Sequence, residues 1–330
     1  MRVGIIGAGL IGAKRAAALA RIEGISIACI ADTNLKAANK LRAQHGGLVT
    51  SNWEEVSKAS NIDLVFVATP HEIAVPIVIS CLNDGKHVLC EKPLGRSALE
   101  SEQIVSAAES AGRVIKVGFN YRYYPHIKRA KALVDSGYLG EIQYLKAVLG
   151  HAARPGYQKE WRVDPSCGGG GALLDPGIHL VDLARYFMGE FTSASHAFQN
   201  AYWPLVFEDN AFALLQTANQ KTASILSSIT EWKNTFTLDI IGTDGYVKLS
   251  GRGGFYGPPR ISWNKRWAWL NDKDPQEQTE EYNGEDNSFF EETVEFLQAI
   301  RDRRQPNGNG YDAIHAARLI DLIYEQHSKQ

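Results

Sequence analysis

Cysteine is scarce in this chain: four residues (Cys29, Cys81, Cys90 and Cys167) in 330, spaced singly with no CxxC pair. That spacing excludes a disulfide scaffold and offers no zinc-ligand pattern, so no metal is expected. Three of the four sit in apolar runs, where a thiol behaves as a small hydrophobe in a reducing compartment. No apolar run approaches the roughly 18 residues that a membrane span needs. Neither sign of charge dominates, with 35 basic against 37 acidic side chains and a net charge of -2. Nucleic acid is therefore not an expected partner, nor is a membrane. Internal repeats and low-complexity tracts are also missing. What remains is an ordinary globular composition, 44% hydrophobic and 22% charged, which excludes a disordered chain. At about 150 residues per domain the length suggests two domains. The opening MRVGIIGAG leaves no room for a secretory signal, and a cytoplasmic protein is the expectation.

Residues 1–120 alternate short β-rich runs with helical stretches. Strands are expected at 3–6, 25–31, 64–68, 88–90 and 114–117, and helices at 11–21, 35–44, 53–59, 73–83 and 98–110. Near-continuous apolar strands such as VGIIG and LVFVAT suit a parallel sheet covered on both faces, and the βαβα order implies a doubly wound sheet with right-handed crossovers. After Asn120 the texture changes. Helices are expected at 125–136 and 176–187, a strand at 141–149, and alternating runs from about 193 to 265 with a hairpin at Gly242-Thr243-Asp244-Gly245. Two helices, 288–303 and 311–326, close the chain. The expected fold class is α/β: an N-terminal Rossmann domain over 1–120, and over 121–330 an α/β domain with an open, mostly antiparallel sheet that binds substrate and oligomerises.

Gly7-Ala8-Gly9-Leu10-Ile11-Gly12 is a GxGxxG between a predicted strand and a predicted helix. The first glycine permits the tight turn, the second lets backbone approach a pyrophosphate, and the third lets helix and strand pack closely. The helix N-terminus, including the amides of Leu10 and Ile11, faces the phosphates. Asp32, at the end of the second strand, is placed to accept hydrogen bonds from an adenosine ribose and to repel a 2′-phosphate. Together these point to NAD rather than NADP, tempered by Lys36 one turn on. The competing reading makes Asp32 the N-cap of the next helix.

Ligands in open α/β sheets lie beyond the carboxyl ends of the strands. Those ends read Ala68-Thr69-Pro70-His71, Glu91-Lys92-Pro93 and Gly118-Phe119-Asn120-Tyr121-Arg122. An ammonium at Lys92 can stabilise alkoxide character on a substrate hydroxyl, although a solvated salt bridge explains the same letters. In GGGGALLDPGIHLVD, Pro176 fits helix position N1 and Asp175 the N-cap. His179 lies four residues on, where a carboxylate can hold one imidazole nitrogen while the other accepts a proton. Asp182 is an alternative orienter, and a capping Asp with a satisfied interfacial His is the plainer reading. His151 and Arg154 follow a strand and can line a polar pocket. Trp161, Tyr157, Tyr121, Tyr123 and Tyr124 can stack a sugar face, with core packing the commoner use of such residues.

VGIIGAGLIGAKRAAAL, DGKHVLCEKPLG, VGFNYRYYPHIKRAKALVDSGYLGEI and GGGGALLDPGIHLVDLARYFMGE together resemble the glucose–fructose oxidoreductase, inositol dehydrogenase and rhizopine-catabolism (Gfo/Idh/MocA) family over nearly the whole chain. The resemblance implies substrate and cofactor contact by Lys92, with Glu91 near the nicotinamide ribose and a cis Lys92–Pro93 bond allowed. It implies His179 as general base, Asp175 as substrate ligand and orienter, and a pocket formed by Asn120 and Arg122. It also implies a homodimer or homotetramer built on the open sheet, and a last helix reaching back to the first domain. One departure stands out: relatives carry a histidine four residues after the TP of the fourth strand, where this chain has Ala74. The activity expected is an NAD-dependent dehydrogenase oxidising a secondary hydroxyl of a polyol, cyclitol, sugar or nucleotide sugar. Thr69 and Pro70 join the expected cofactor contacts, and Arg154 and Trp161 the expected substrate contacts. The rivals are an NAD-retaining glycoside-cleaving enzyme and a non-catalytic NAD-binding regulator.

Overall fold

In the computed structural model, which describes residues 1–267 and 276–329, the chain divides into two compact units. The first takes in Met1–Asn120 and, from later in the chain, Ser166–Gly169 and Asn287–Arg318. Its elements begin with β1 (Arg2–Ile6), α1 (Leu10–Leu19), β2 (Ser26–Ala31), α2 (Leu35–His45) and β3 (Leu48–Thr50). They continue with α3 (Trp53–Lys58), β4 (Leu64–Val67), α4 (His71–Asn83), β5 (His87–Cys90), α5 (Ala98–Ser110) and β6 (Ile115–Val117). The sheet is six-stranded in the order β3-β2-β1-β4-β5-β6, with every pairing parallel. All four residues of β4 are buried, as a strand covered on both faces requires. The order reverses between β1 and β4, so the chain leaves the two strands in opposite directions and a crevice opens at their carboxyl ends.

Two details differ from expectation. β3 was not foreseen, because Leu48-Val49-Thr50 is a three-residue edge strand with an exposed Leu48, too short to show a pattern. Helix α4 starts at His71 rather than Ile73, with Pro70 as its N-cap.

The second unit comprises Tyr121–Pro165, Gly170–Asp286 and Leu319–Gln330. It holds α6 (Pro125–Asp135), β7 (Ile142–Gly150), α7 (Ile178–Met188), β8 (Ser193–Gln199), β9 (Asn210–Gln216) and β10 (Thr222–Ser228), followed by β11 (Thr235–Gly242), β12 (Gly245–Ser250), β13 (Arg260–Lys265) and β14 (Gln278–Glu281). These strands form an eight-stranded sheet ordered β14-β13-β12-β11-β7-β10-β9-β8, antiparallel except where β7 meets β10. Thr243-Asp244 turn the β11–β12 hairpin, with Ile241 opposite Tyr246. Alternation sorts the two faces. Ala147, Ala213, Ile225 and Leu238 are buried on one side, while Tyr144, Phe212 and Leu214 point outward and exposed on the other.

Two helices complete the chain, α8 (Ser288–Asp302) and α9 (Gly310–Ser328). In the first unit, Phe296 and Leu297 of α8 join Val3, Ile5, Leu19 and Phe66 in one core. The first half of α9 meets α5, where Tyr311 donates to Glu109 and Arg318 to Glu102. Arg15 of α1 is fully buried, with Nη2 2.6 Å from Glu91 and Nη1 2.6 Å from Glu292 of α8. Burial pulls this guanidinium down, and the two carboxylates more than restore it, so its pKa stands above the ordinary value. Burial lifts the Glu91 carboxyl even with Arg15 against it. Removing the cation leaves two buried carboxylates facing a gap, which costs about 3–5 kcal/mol. Arg15→Met should lose that much in urea unfolding at pH 7, with the deficit shrinking as the pH falls and the Glu91 carboxyl, already lifted by burial, protonates. A loss below about 1 kcal/mol, typical of a solvated pair, would contradict the assignment.

Candidate functional site

In the first unit, candidate functional residues gather on the carboxyl edge of the parallel sheet. Gly7 has φ +99°, and a Cβ there would lie 2.4 Å from the Ala68 carbonyl oxygen, so only glycine fits the turn. A Cβ on Gly12 would lie 1.9 Å from the Gly7 carbonyl oxygen, which forces glycine where α1 passes the strand. Gly9 faces open space, with nothing within 4 Å of its Cβ position, and it caps α1 without any side-chain hydrogen bond. The first amides of α1, at Leu10 and Ile11, therefore lie at an open helix N-terminus.

Asp32 follows β2 and accepts from the Ala8 amide at 2.6 Å and the Asn34 amide at 2.7 Å. The N-cap of α2 is Asn34, which accepts from Lys36 and Ala37, so the capping role weighed for Asp32 belongs to its neighbour. The Asp32 carboxylate instead pins the glycine turn to the end of β2. Thr69 follows β4 with a buried hydroxyl oxygen that has no hydrogen-bond partner. A glycine turn with open space above it, a carboxylate at the second strand's end and an unsatisfied hydroxyl beside them fit a dinucleotide.

Glu91 and Lys92 leave β5 half-buried, and the Lys92–Pro93 bond is cis. The Glu91 carboxylate is engaged by Arg15, and its other oxygen lies over Gly118, where a Cβ would sit 2.6 Å away. His71 is buried, and its Nδ1 pairs with the Gly168 carbonyl oxygen at 2.9 Å. Asn120, buried, donates to Ser288 at 2.9 Å. That bond ties the end of the first unit's main segment to α8.

The second unit has its own group of candidate residues. Asp175, Pro176 and Gly177 lead into α7, whose N-cap is Gly177; the expected start at Pro176, with Asp175 as cap, lies two residues too early. The Asp175 and Gly177 amides bond the Gly171 and Ala172 carbonyls, so these residues are still turning when the helix begins. The glycines ahead of them have a packing reason. A Cβ on Gly171 would lie 2.4 Å from the Glu208 backbone oxygen, and Glu208 itself accepts from the Leu173 amide and the Tyr324 hydroxyl, each at 2.9 Å.

His179, on the first turn of α7, is buried and stacks face to face on Tyr121, with ring centroids 3.9 Å apart and planes 7° from parallel. The Asp175 carboxylate lies 3.4 Å from Nε of Arg162. The Arg162 guanidinium in turn covers the Trp161 ring at 4.5 Å. His151 accepts from the Ala153 amide on Nδ1, and burial lowers its pKa.

Arg122 has a buried partner: its Nε and Nη2 form a fork on Asp182 at 2.9 and 2.5 Å, both residues buried, and its guanidinium covers Tyr186. A bidentate buried pair fixes both side chains in place. Arg154 is exposed and paired with Glu160 at 2.7 Å on its own loop. Sequence reasoning missed Arg162 and Arg252. The second had a signal: a lone cation among glycines in SGRGG, directly after a strand, is an uncommon use of charge. Lys92 belongs to the first unit, and Asp175 and His179 to the second. Among the described residues, no cluster of potential ligands could hold a metal ion, and no helix is long and apolar enough to cross a membrane.

Comparison with known proteins agrees in both units. Residues 1–119 match the model of an oxidoreductase family with an NAD-binding Rossmann fold, and residues 127–248 match the GFO/IDH/MocA C-terminal domain. The levoglucosan dehydrogenase of Pseudarthrobacter phenanthrenivorans is 27% identical over 75% of this chain and 73% of its own. The inositol 2-dehydrogenase 4 of Saccharopolyspora erythraea is 30% identical over 66% of this chain and 64% of its own. A solved levoglucosan dehydrogenase in complex with NADH shares the fold, with a TM-score of 0.88 at 24% identity across 100% of this chain and 97% of that one. The two matched segments, in order and together well over half of the sequence, place this chain in the GFO/IDH/MocA family of oxidoreductases, with an NAD-binding Rossmann domain and the family's C-terminal domain.

Proposed function

We propose that the protein is an NAD-dependent dehydrogenase that oxidises a secondary hydroxyl of a polyol, cyclitol, sugar or nucleotide sugar. The observation that carries this reading is His179, a buried imidazole on the first turn of α7, held flat against Tyr121. The relatives named above act, by their names, on levoglucosan and inositol, whose reacting groups are ring hydroxyls.

NAD, when bound, supplies a hydride acceptor at the nicotinamide ring. Gly7, Gly9 and Gly12 with the amides of Leu10 and Ile11 hold its pyrophosphate, and Asp32 holds the adenosine ribose and disfavours a 2′-phosphate. Thr69, Pro70 and Glu91 would hold its nicotinamide end. Lys92 donates to the substrate oxygen and stabilises negative charge on it as the C–H bond breaks; an ammonium has three donors and no acceptor, so its bonds strengthen as that charge grows. His179 takes the hydroxyl proton, its ring orientation set by the Tyr121 stack. Asp175, steadied by Arg162, binds a neighbouring hydroxyl, and Trp161 offers an apolar face to the sugar ring. The outward side of the antiparallel sheet, with Tyr144, Phe212 and Leu214 exposed, is proposed to be buried against a second copy of the chain.

Three outcomes test this reading. Lys92→Ala and His179→Ala should each lower kcat by about 10²- to 10⁴-fold, with NAD affinity by calorimetry nearly unchanged; unaltered turnover in either variant removes that residue from the mechanism. Asp32→Ala should weaken NAD binding and reduce the preference for NAD over NADP by at least about tenfold, as expected for loss of a charged hydrogen-bond acceptor. Sedimentation of the wild-type protein at micromolar concentration should show a dimer or larger, and Leu214→Lys should shift it toward monomer. A wild-type monomer would refute the interface.

A further inference from the structure

Arg252 lies two residues beyond β12, at the same sheet edge where β7 ends in Gly150 and His151 follows, since Ser250 pairs with Thr237 and Thr235 with Gly150. Its guanidinium carbon is 3.7 Å from the centre of the Tyr256 ring and 5.2 Å from that of Tyr121, the ring on which His179 stacks. Nη1 reaches the Tyr124 hydroxyl at 3.5 Å, and Nε is buried with no hydrogen-bond partner. Phenol rings give a cation partial cover but no countercharge. A guanidinium with a desolvated nitrogen and no partner for it is favourably met by an anion, because leaving a buried donor unpaired is costly.

None of the described residues supplies that anion. The acids nearby are already engaged: Asp175 with Arg162, and Glu160 with Arg154. The second unit therefore holds a guanidinium fork whose anion none of the described residues provides. The guanidinium and the His179 imidazole share the Tyr121 ring as a common neighbour.

We propose that Arg252 is a specificity residue for an anionic substrate, one whose carbon skeleton carries a carboxylate or phosphate that the guanidinium receives while a hydroxyl lies at His179. The fork and its unsatisfied Nε match the paired oxygens of either group, and a neutral sugar would leave Nε unsatisfied. This assignment rests on the dehydrogenase reading for the role of His179, but it is tested by binding.

The NAD-loaded protein is titrated calorimetrically with neutral hexoses (glucose, galactose and mannose), with the matching hexuronates and with the matching hexose 6-phosphates. NADH absorbance is followed on the same set. At least one charged compound should bind about ten times more tightly than its neutral parent, and the two charged arms separate carboxylate from phosphate. Arg252→Met, checked for native circular dichroism, should reduce that preference roughly ten- to hundredfold, the scale of a lost charged hydrogen bond, and Arg252→Lys should restore part of it. Neutral parents binding as well as every charged compound, no binding by any charged compound, or a preference that survives in a folded Arg252→Met would each overturn the proposal. Tight binding of a charged sugar with no NADH from any compound would instead defeat the dehydrogenase reading and leave the anion site standing.

Discussion

The Arg15 guanidinium, fully buried between Glu91 and Glu292, is the contact on which the first unit's candidate residues depend. It joins three stretches that sequence keeps far apart: the helix behind the glycine turn, the end of β5 and the helix that returns near the end of the chain. Glu91 directly precedes Lys92, so the direction in which the lysine leaves the sheet follows from where Arg15 holds its neighbour. Lys116 adds a second buried cation to the cluster, 3.7 Å from Glu292 and 3.6 Å from Glu295. Buried ions tolerate few arrangements, because each misplacement leaves a charge without its partner. The cluster thus specifies geometry, and the apolar core around Phe66 and Phe296 supplies the favourable burial that offsets its desolvation.

The second unit orients its functional groups by different means. His179 is fixed by an aromatic face, Asp175 by an arginine that itself rests on Trp161, and the chain ahead of α7 by glycines pressed against Glu208 and Tyr324. The run of glycines from 168 to 171 invites a phosphate-binding reading. In this structure its later members are explained by close approach: a Cβ on Gly170 would lie 2.8 Å from the Tyr324 hydroxyl, and one on Gly171 2.7 Å from the Glu208 carboxylate.

What sequence alone revealed follows the range of the forces involved. β1, β2, β4, β5 and β6 were legible to within a residue or so, because burial on both faces writes a continuous apolar run and the intervening helices have clear caps. The glycine turn and Asp32 were legible because backbone geometry at Gly7 and Gly12 admits no other residue. β3 was not, being three residues at an edge. The entry to α7 was misplaced because Asp-Pro imitates a cap, whereas hydrogen bonds back to Gly171 and Ala172 keep those residues in a turn. The partners of Arg122 and Asn120 were not legible: Asp182 and Ser288 lie 60 and 168 residues away, and no local pattern announces such pairings. Arg162 and Arg252 escaped notice for the same reason: each acts through contacts made only in the folded chain.

Transfer of hydrogen from substrate carbon to cofactor tests the central claim most directly. A substrate found by screening polyols, cyclitols, aldoses and uronates would be deuterated at the oxidised carbon and mixed with excess NAD. The account predicts released NADH carrying one deuterium per turnover and a slower rate of formation than with the unlabelled substrate. Consumption of substrate with no net NADH, or NADH free of deuterium, would contradict it.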